Sequence, residues 1–195
     1  MNKKLTYTRE EQKILACLQR VLPRPRFLHS LSVMRAAEKI AERYGENTHH
    51  ARLAGLMHDA SRGFSIQKII SLACRYDSKI FADPILRKNP RLLHGFASAA
   101  LARIQFGVTD SKILHAMAFH TIACKNMSIF DKIIYLADCT ASDRRFKLCK
   151  RLRKLGMQDI DAAMRLALQI RISHVMDMHW MLHPNSVYAL NELLR

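Results

Sequence analysis

The sequence has few of the residues that interrupt helices. Only six glycines and five prolines occur in 195 residues, and aromatic residues make up 7%. This composition excludes a collagen-like or low-complexity chain, and the 49% of hydrophobic residues excludes a disordered one. No run approaches the roughly 18 to 20 apolar residues needed to span a bilayer. The sequence therefore predicts a helix-rich globular protein without a membrane segment.

Paired cysteines are also lacking. The five cysteines are odd in number, and none has the Cys-x-x-Cys spacing. Residues 1–7 lead directly into the charged residues 9–11 without an apolar core, so we expect no secretion signal. Free thiols in a reducing, cytoplasmic environment are the expectation.

Acidic residues are scarce. Sixteen Asp and Glu accompany 32 Lys and Arg, which gives a formal net charge of +16. An excess of this size predicts an anionic partner. The positive charge is concentrated in residues 144–154, where no acid interrupts it. Three interpretations of this basic run are open: a nucleic-acid surface, a solvated helix face, or a positively charged surface that attracts a polyphosphate substrate. The nucleic-acid surface is less favoured, because Phe146 is the one aromatic residue of the run that could stack on a base.

Helical periodicity and capping residues predict helices along nearly the whole chain, and no alternation of useful length indicates a strand. Thr8 and Glu11 form a capping box before a first helix that prolines 23 and 25 end. Further helices are expected over about 26–44, 48–57 and from 66, then from 94, from 110 to 120, from 129 through 138, and in two or three segments to the end, the last beginning at Pro184. Residues 76–89 contain Asp-Pro and Asn-Pro pairs, so this segment is predicted to be the loosest and a candidate lid.

Six residues with metal-binding side chains follow one another at helix ends or on helix faces. The pair His58-Asp59 closes an apolar helical stretch, where a buried carboxylate needs a partner. Neighbouring residues on a helix point about 100° apart, so both reach one ion only beyond the helix end, or Asp59 bridges two ions. Imidazole and carboxylate together suit iron, manganese or zinc rather than calcium. A metal-dependent phosphohydrolase is the leading hypothesis, with the ligands His29, His58, Asp59, His94, His120 and Asp138.

The other histidines are expected to be core or surface residues rather than ligands. His115 lies about 140° round the helix from His120, so the two cannot share one ion. Asp131 and Asp138 share a face but lie about 10.5 Å apart along the axis, so Asp131 is expected to cap its helix or support a ligand. The residues set aside in this way are His49, His50, His115, His174, His179 and His183.

The ordered motifs resemble those of the HD-domain hydrolases, and within them the YqeK-like symmetrical diadenosine tetraphosphate hydrolases. The resemblance extends from about Arg26 to the end of the chain. Its motifs are RFLHS at 26–30, AGLMHD at 54–59, LHG at 93–95, HT at 120–121 and MSIFDKIIYLAD at 127–138. It implies an all-α fold, an HD-domain helical bundle with the metal site between core helices. We expect one domain over 1–195, comprising an N-terminal helix within 1–24, an HD core at 25–140 and C-terminal helices at 141–195.

The resemblance also implies a two-metal centre, most often iron, with manganese as the alternative. By analogy, one ion is held by His29, His58 and Asp138, the other by His94 and His120, and Asp59 bridges them.

The implied reaction is symmetrical hydrolysis of a dinucleoside tetraphosphate to two nucleoside diphosphates by a metal-bound hydroxide, in a bacterial cytoplasmic enzyme. Asp59 and Arg62 are the predicted catalytic residues. Substrate phosphates are expected to bind Arg26, Arg62, Thr121 and Arg144.

Two departures from the family pattern leave the substrate open. The family usually has a Glu-Pro pair shortly after the Ala-Asp pair, and residues 139–143 lack it. Arg62 stands where the family commonly has lysine. The alternatives are hydrolysis of a nucleoside monophosphate, a cyclic nucleotide or a guanosine alarmone, or a basic RNA-associated module with a structural metal site. A homodimer remains open.

Overall fold

The computed structural model describes residues 6–194, and within that range the chain forms helices and no strands. Short 3-10 turns at Ala60–Gly63, Ile80–Ala82 and Pro90–Leu93 join some of them. The all-α prediction is confirmed. The helices are α1 (Arg9–Val21), α2 (Arg24–Tyr44), α3 (Thr48–Met57), α4 (Ile66–Tyr76), α5 (Pro84–Lys88), α6 (His94–Phe106), α7 (Ser111–Phe119), α8 (Ile129–Thr140), α9 (Cys149–Gly156), α10 (Ile160–Asp177) and α11 (Pro184–Glu192).

Most helix boundaries follow the capping residues. Thr8 and Glu11 form the predicted capping box of α1, and Asp110 caps α7 by accepting from the backbone of residues 112 and 113. Gly45 ends α2 in the left-handed conformation, with φ of 70°. The start of α2 differs from the prediction, because the helix begins at Arg24 rather than near residue 26. Pro25 therefore lies inside the first turn, where its missing N–H leaves no hydrogen bond unmade.

The segment predicted to be loosest is partly helical. Residues 76–89 contain a 3-10 turn and α5, and the Asp83 side chain caps α5 by accepting from two backbone N–H groups. The Asp-Pro pair thus starts a short helix, with Pro84 at its first position. A lid role for this segment stays a prediction.

The core is formed mainly by α2, α3, α6, α7 and α8, and α3 is buried from Ala51 to Met57. Gly55 lets α3 approach α2 closely, because a Cβ there would lie 2.9 Å from the Met34 Cα. This approach places the rings of His29 and His58 with their centroids 5.3 Å apart. The backbone contact between two helices therefore sets part of the candidate site.

The N-terminal helix is tied to the core by a buried ion pair. Arg52 on α3 donates to both oxygens of Glu11, at 2.5 and 2.9 Å, and to Glu38 at 2.9 Å. Glu11 is fully buried. Burial opposes its ionisation, yet the hydrogen bonds from Arg52 and Thr8 hold the pKa of Glu11 below its ordinary value.

The C-terminal part forms three helices, with Pro184 opening the last one as predicted. No observation tests the division at residues 24 and 140, and residues 1–5 and 195 of the predicted domain lie outside the described residues. No described helix is both long enough and apolar enough to cross a membrane.

Candidate metal centre and substrate cleft

The fold brings all six predicted ligands together, and all six are buried. Helix ends supply most of them: His58 and Asp59 directly follow α3, His94 opens α6, and His120 follows α7. The remaining two, His29 and Asp138, come from the bodies of α2 and α8. Side chains at helix ends point beyond the backbone cylinder, so residues far apart in sequence meet in one small volume.

The four histidines present the same ring nitrogen to this volume. His58, His94 and His120 each place Nδ1 2.7–2.8 Å from the backbone carbonyl three residues earlier. His29 places Nδ1 2.8 Å from a carboxylate oxygen of Asp143. A hydrogen on Nδ1 donated to these acceptors leaves the Nε2 lone pair free and fixes the ring orientation. The arrangement is that of histidines prepared to bind a cation through Nε2.

Asp59 lies at the middle of the cluster and uses both carboxylate oxygens. Its Oδ1 lies 3.2 Å from Nε2 of His94 and 3.8 Å from that of His120. Its Oδ2 lies 3.7 Å from Nε2 of His58. The two oxygens therefore face different histidines.

Asp138 forms the second acidic element of the cluster. Its Oδ1 lies 2.9 Å from Nε2 of His29 and 4.0 Å from that of His58, and Arg144 donates to it and to its backbone carbonyl. Burial opposes ionisation of Asp138, but the His29 hydrogen bond and the Arg144 charge hold its pKa well below the ordinary value. The carboxylate is therefore ionised at neutral pH.

The electrostatics of the histidines also fit a cation. Burial, followed by the neighbouring His58 and His94, lowers the pKa of His120 to about 3, so its ring is neutral at pH 7. Burial likewise lowers the pKa of His58. Its Nε2 is buried and has no hydrogen-bond partner within the described residues. A buried polar atom without a partner is costly, and a metal ion held by these rings and the ionised carboxylates would satisfy it.

Ligand atoms within 4.8 Å of one another form three overlapping groups. The first and the third share Asp59. The second joins His58 and His120, which the family analogy assigns to different ions, so the six residues form one continuous cluster. The groups are His29, His58 and Asp59; His58, His120 and Asp138; and Asp59, His94 and His120.

The predicted substrate residues border the cluster. Arg26 and Arg62 each donate to a different oxygen of Asp59 at 3.1 Å. The Thr121 hydroxyl lies 3.0 Å from Nε2 of His94 and 3.1 Å from that of His120. Together with Arg144 beside Asp138, these groups surround the carboxylates with donors.

A cleft of about 680 Å³ opens onto the cluster and contains residues that the sequence reasoning missed. His94 and Thr121 line it together with four basic side chains and no acidic one among the described residues. The basic side chains are Arg62, Lys88, Arg91 and Arg171. Of these, Lys88, Arg91 and Arg171 have no carboxylate within 4.0 Å in the described part of the chain. The four basic residues come from three separate parts of the sequence, so no local pattern predicts that they share a cleft. The prolines that flank residues 85–89 are the one local feature near them.

A second, smaller cavity of about 280 Å³ adjoins the cleft at Arg171 and His174, which line both spaces. Asp138, Arg144 and the half-exposed Phe146 also line it. Two spaces therefore border the cluster of candidate ligands, one at His94 and the other at Asp138.

The basic run of residues 144–154 is divided between internal and external roles. Arg144 donates to Asp138. Arg153 donates to the carbonyls of Thr140 and Ala141 at 2.7 and 2.6 Å, and so caps the C-terminal end of α8. The exposed basic residues are Arg145, Lys147, Lys150, Arg151 and Lys154.

The histidines that were predicted not to be ligands lie outside the cluster. His115 contacts Asp131 at 2.8 Å beside a separate cavity of about 610 Å³. Asp131 accepts from Ser128 in a capping box, which confirms its predicted capping role. His183 caps α11 and contacts Asp83 at 3.2 Å. His183 also lines the cleft, together with His174 and His179, so these three lie nearer to the site than the sequence suggested.

Comparison with known proteins agrees with this geometry. Residues 26–143 match the HD domain family. A Bacillus subtilis protein named bis(5'-nucleosyl)-tetraphosphatase, symmetrical, is 28% identical, over 94% of this chain and 97% of its own length. One with the same name from Halalkalibacterium halodurans is 29% identical over 93% and 96%.

A solved structure is also similar. It is described as a predicted HD superfamily hydrolase involved in NAD metabolism from Clostridium acetobutylicum, with 36% identity, a TM-score of 0.89 and coverage of 94% of this chain and 96% of that one. The motifs at residues 26–143 and the clustered histidines and aspartates of α2, α3, α6, α7 and α8 show that the chain belongs to the HD-domain family of hydrolases.

Proposed function

We propose that the protein is a metal-dependent phosphohydrolase that cleaves diadenosine tetraphosphate, or a related dinucleoside tetraphosphate, into two nucleoside diphosphates. The observation that carries the proposal is the convergence of four histidine Nε2 atoms on two buried carboxylates where a basic cleft opens. The names of the relatives from Bacillus subtilis and Halalkalibacterium halodurans support the same substrate.

The six clustered residues would hold two divalent ions, with Asp59 between them. Bound metal ions supply Lewis acidity toward a phosphoryl oxygen and lower the pKa of water. Iron is the expected metal and manganese the alternative, since imidazole and carboxylate ligands suit both. The protein's own contribution is to orient the imidazoles through their Nδ1 contacts, to lower the pKa of His58 and His120 by burial, and to keep both carboxylates ionised.

The basic residues around the centre match a polyanionic substrate. Arg62 donates to Asp59 and Arg144 donates to Asp138, so each lies next to one carboxylate of the cluster. Guanidinium groups bind phosphate oxygens through paired, charge-assisted hydrogen bonds, so these two would hold the phosphates flanking the cleaved bond. Arg26 and Arg171 lie close enough to neutralise further phosphate charge.

Symmetrical cleavage needs room for a nucleoside diphosphate on each side of the reacting phosphate. The cleft beside His94 and the smaller cavity beside Asp138 provide two such spaces, and Arg171 lies between them. A chain of four phosphates laid across the centre would direct one nucleoside into each. This arrangement favours a dinucleotide over a nucleoside monophosphate or a cyclic nucleotide, which would use one space only.

A substrate panel tests the proposal. The metal-loaded protein is incubated with diadenosine tetraphosphate, AMP, cyclic AMP and a guanosine alarmone, and the products are separated by chromatography. We expect the first compound to be the preferred substrate and ADP to be its only nucleotide product. Release of ATP and AMP, or faster turnover of another compound, would contradict the proposal.

A pair of variants connects the activity with the cluster. Asp59→Asn removes the charge between the histidines, and we expect it to lose bound metal and at least about 100-fold of activity, since the metal supplies both the Lewis acid and the activated water. Asp161→Asn is the matched control, because its side chain is half-exposed and contacts Lys132 away from the site. Equal activity of the two variants would contradict the assignment of Asp59.

A further inference from the structure

Trp180 is the one tryptophan of the chain, and it lies in the cleft rather than in the core. Its side chain is 56% exposed. Met178 and Met181, which flank it in the sequence, are also exposed, and exposed apolar groups that occur together are commonly covered by a ligand or partner. The cleft that Trp180 lines is the one that reaches His94 and Thr121.

The backbone holds Trp180 in a defined position. At the end of α10, His179 N–H donates to the Met176 carbonyl and Trp180 N–H donates to the Val175 carbonyl, both at 3.0 Å. His179 has a left-handed conformation, with φ of 54°. These are the two hydrogen bonds and the conformation of a Schellman motif, which usually has glycine at the position of His179. A non-glycine residue tolerated there indicates that the chain direction at Trp180 is well determined.

The surroundings of the ring suit a nucleobase. The His174 ring meets Trp180 in a perpendicular arrangement, with centroids 5.6 Å apart, so it supports the indole without covering it. Arg171 lies one helical turn earlier on α10 and lines the same cleft. The cleft thus has basic side chains near the candidate metal ligands and an aromatic surface at the connection between α10 and α11. A nucleoside phosphate has the same order of groups, with charge at one end and a flat π-system at the other.

We propose that Trp180, supported by His174, is the surface on which one nucleobase of the substrate stacks. The inference rests on the proposed function, because it assigns the base of that substrate to this end of the cleft. Aromatic stacking accepts any base, since each has a π-face. Trp180 would therefore set affinity for a nucleoside and contribute little to discrimination between adenine and guanine.

Fluorescence gives a direct test, because Trp180 is the one tryptophan and can be excited at a wavelength that the five tyrosines do not absorb. The metal-loaded protein is titrated with ADP and, separately, with inorganic tripolyphosphate. We expect ADP to quench the emission in a saturable manner and tripolyphosphate to change it little. Equal effects of the two compounds, or no effect of ADP at concentrations that saturate binding by calorimetry, would overturn the proposal.

Kinetics with diadenosine tetraphosphate provide a second readout. Trp180→Ala is expected to raise KM about 10-fold, within the range of loss typical for one stacked base, and to change kcat less than about 2-fold. Trp180→Phe is expected to restore most of the affinity. Met176→Ala is the control, because Met176 is 61% exposed but does not line the cleft. An unchanged KM in Trp180→Ala, with circular dichroism showing an intact fold, would refute the role of Trp180.

The two readouts separate the two proposals. If the wild-type protein does not hydrolyse diadenosine tetraphosphate, the proposed function fails, and the fluorescence titration still decides whether Trp180 stacks on a nucleobase. If hydrolysis occurs and Trp180→Ala behaves as the wild type, the proposed function stands and the stacking role fails.

Discussion

Gly95 is a position at which one added methyl group would disturb both packing and the metal centre. A Cβ on Gly95 would lie 2.5 Å from the Ala118 carbonyl oxygen and 2.9 Å from that of Met117. Real Cβ atoms essentially never approach other heavy atoms within 3.0 Å, and backbone cannot rotate away as a flexible side chain can. Gly95→Ala must therefore push the start of α6 away from the end of α7 by about half an ångström.

The expected cost follows from that clash. Overpacking a core costs about 1–3 kcal/mol, and contact with backbone places Gly95→Ala in the upper part of this range. The gain from replacing a helical glycine, about 0.5–1 kcal/mol, offsets part of it. We therefore expect a net loss of about 1–2 kcal/mol, a substantial part of the roughly 5–15 kcal/mol that stabilises a typical domain.

Gly95→Ala should also weaken metal binding. The Met117 carbonyl is the acceptor for Nδ1 of His120, so the displaced backbone is the group that orients this ligand. Disturbing such a contact typically costs 10–100-fold in metal affinity or activity, roughly. Urea unfolding followed by circular dichroism measures the stability, and elemental analysis of the purified protein measures bound metal.

Gly156→Ala is the matched control, because it is also a helical glycine but a Cβ there meets only the Ala163 Cβ, at 4.0 Å. We expect it to lose no stability and to keep its metal. If Gly95→Ala were as stable as Gly156→Ala, the close packing of α6 on α7 would be wrong.

Three further predictions concern contacts around the site and core. Asp143→Ala removes the carboxylate that accepts from Nδ1 of His29, and metal titration should show affinity reduced about 10–100-fold, with Asp143→Asn nearer to wild type; equal affinity in all three proteins would exclude this orienting role. Arg52→Met leaves the fully buried Glu11 without its partner, so urea unfolding should show a loss of about 3–5 kcal/mol, and a loss below about 1 kcal/mol would contradict the buried ion pair. His115 has its pKa raised from 6.5 to about 10, first by its hydrogen bond to Asp131 and then by Cys124, so the stability that it contributes is fully present below pH 6.5 and is lost as the pH rises toward 10. His115→Gln should remove that part of the pH dependence of the urea midpoint, and an identical profile in the variant would argue against the shift.

Local signals predicted most of the helices. The capping boxes at Thr8 and Ser128 and the left-handed Gly45 depend on contacts within about four residues, so the sequence around each position contains the whole signal. The start of α2 at Arg24 was missed because a proline near a helix start is compatible with either side of the boundary.

The candidate ligands were predictable for a different reason. Their order along the chain matches a family pattern, and each lies next to an apolar helical segment that predicts burial. The hydrogen-bond partners of their Nδ1 atoms were harder to predict. The carbonyls three residues earlier follow from helical geometry, but the contact between His29 and Asp143 joins residues 114 positions apart. The same limit applies to the cleft, where Arg171 and Trp180 approach His94 only through the packing of α10.

The most direct test of the proposed reaction is the position of the water oxygen in the products. The metal-loaded protein hydrolyses diadenosine tetraphosphate in water enriched in oxygen-18, and mass spectrometry locates the label. Attack on an inner phosphate predicts ADP as the only nucleotide product, with one labelled oxygen on the β-phosphate of half of the ADP molecules. Label in AMP or ATP, or hydrolysis that continues unchanged in Asp59→Asn, would contradict the account.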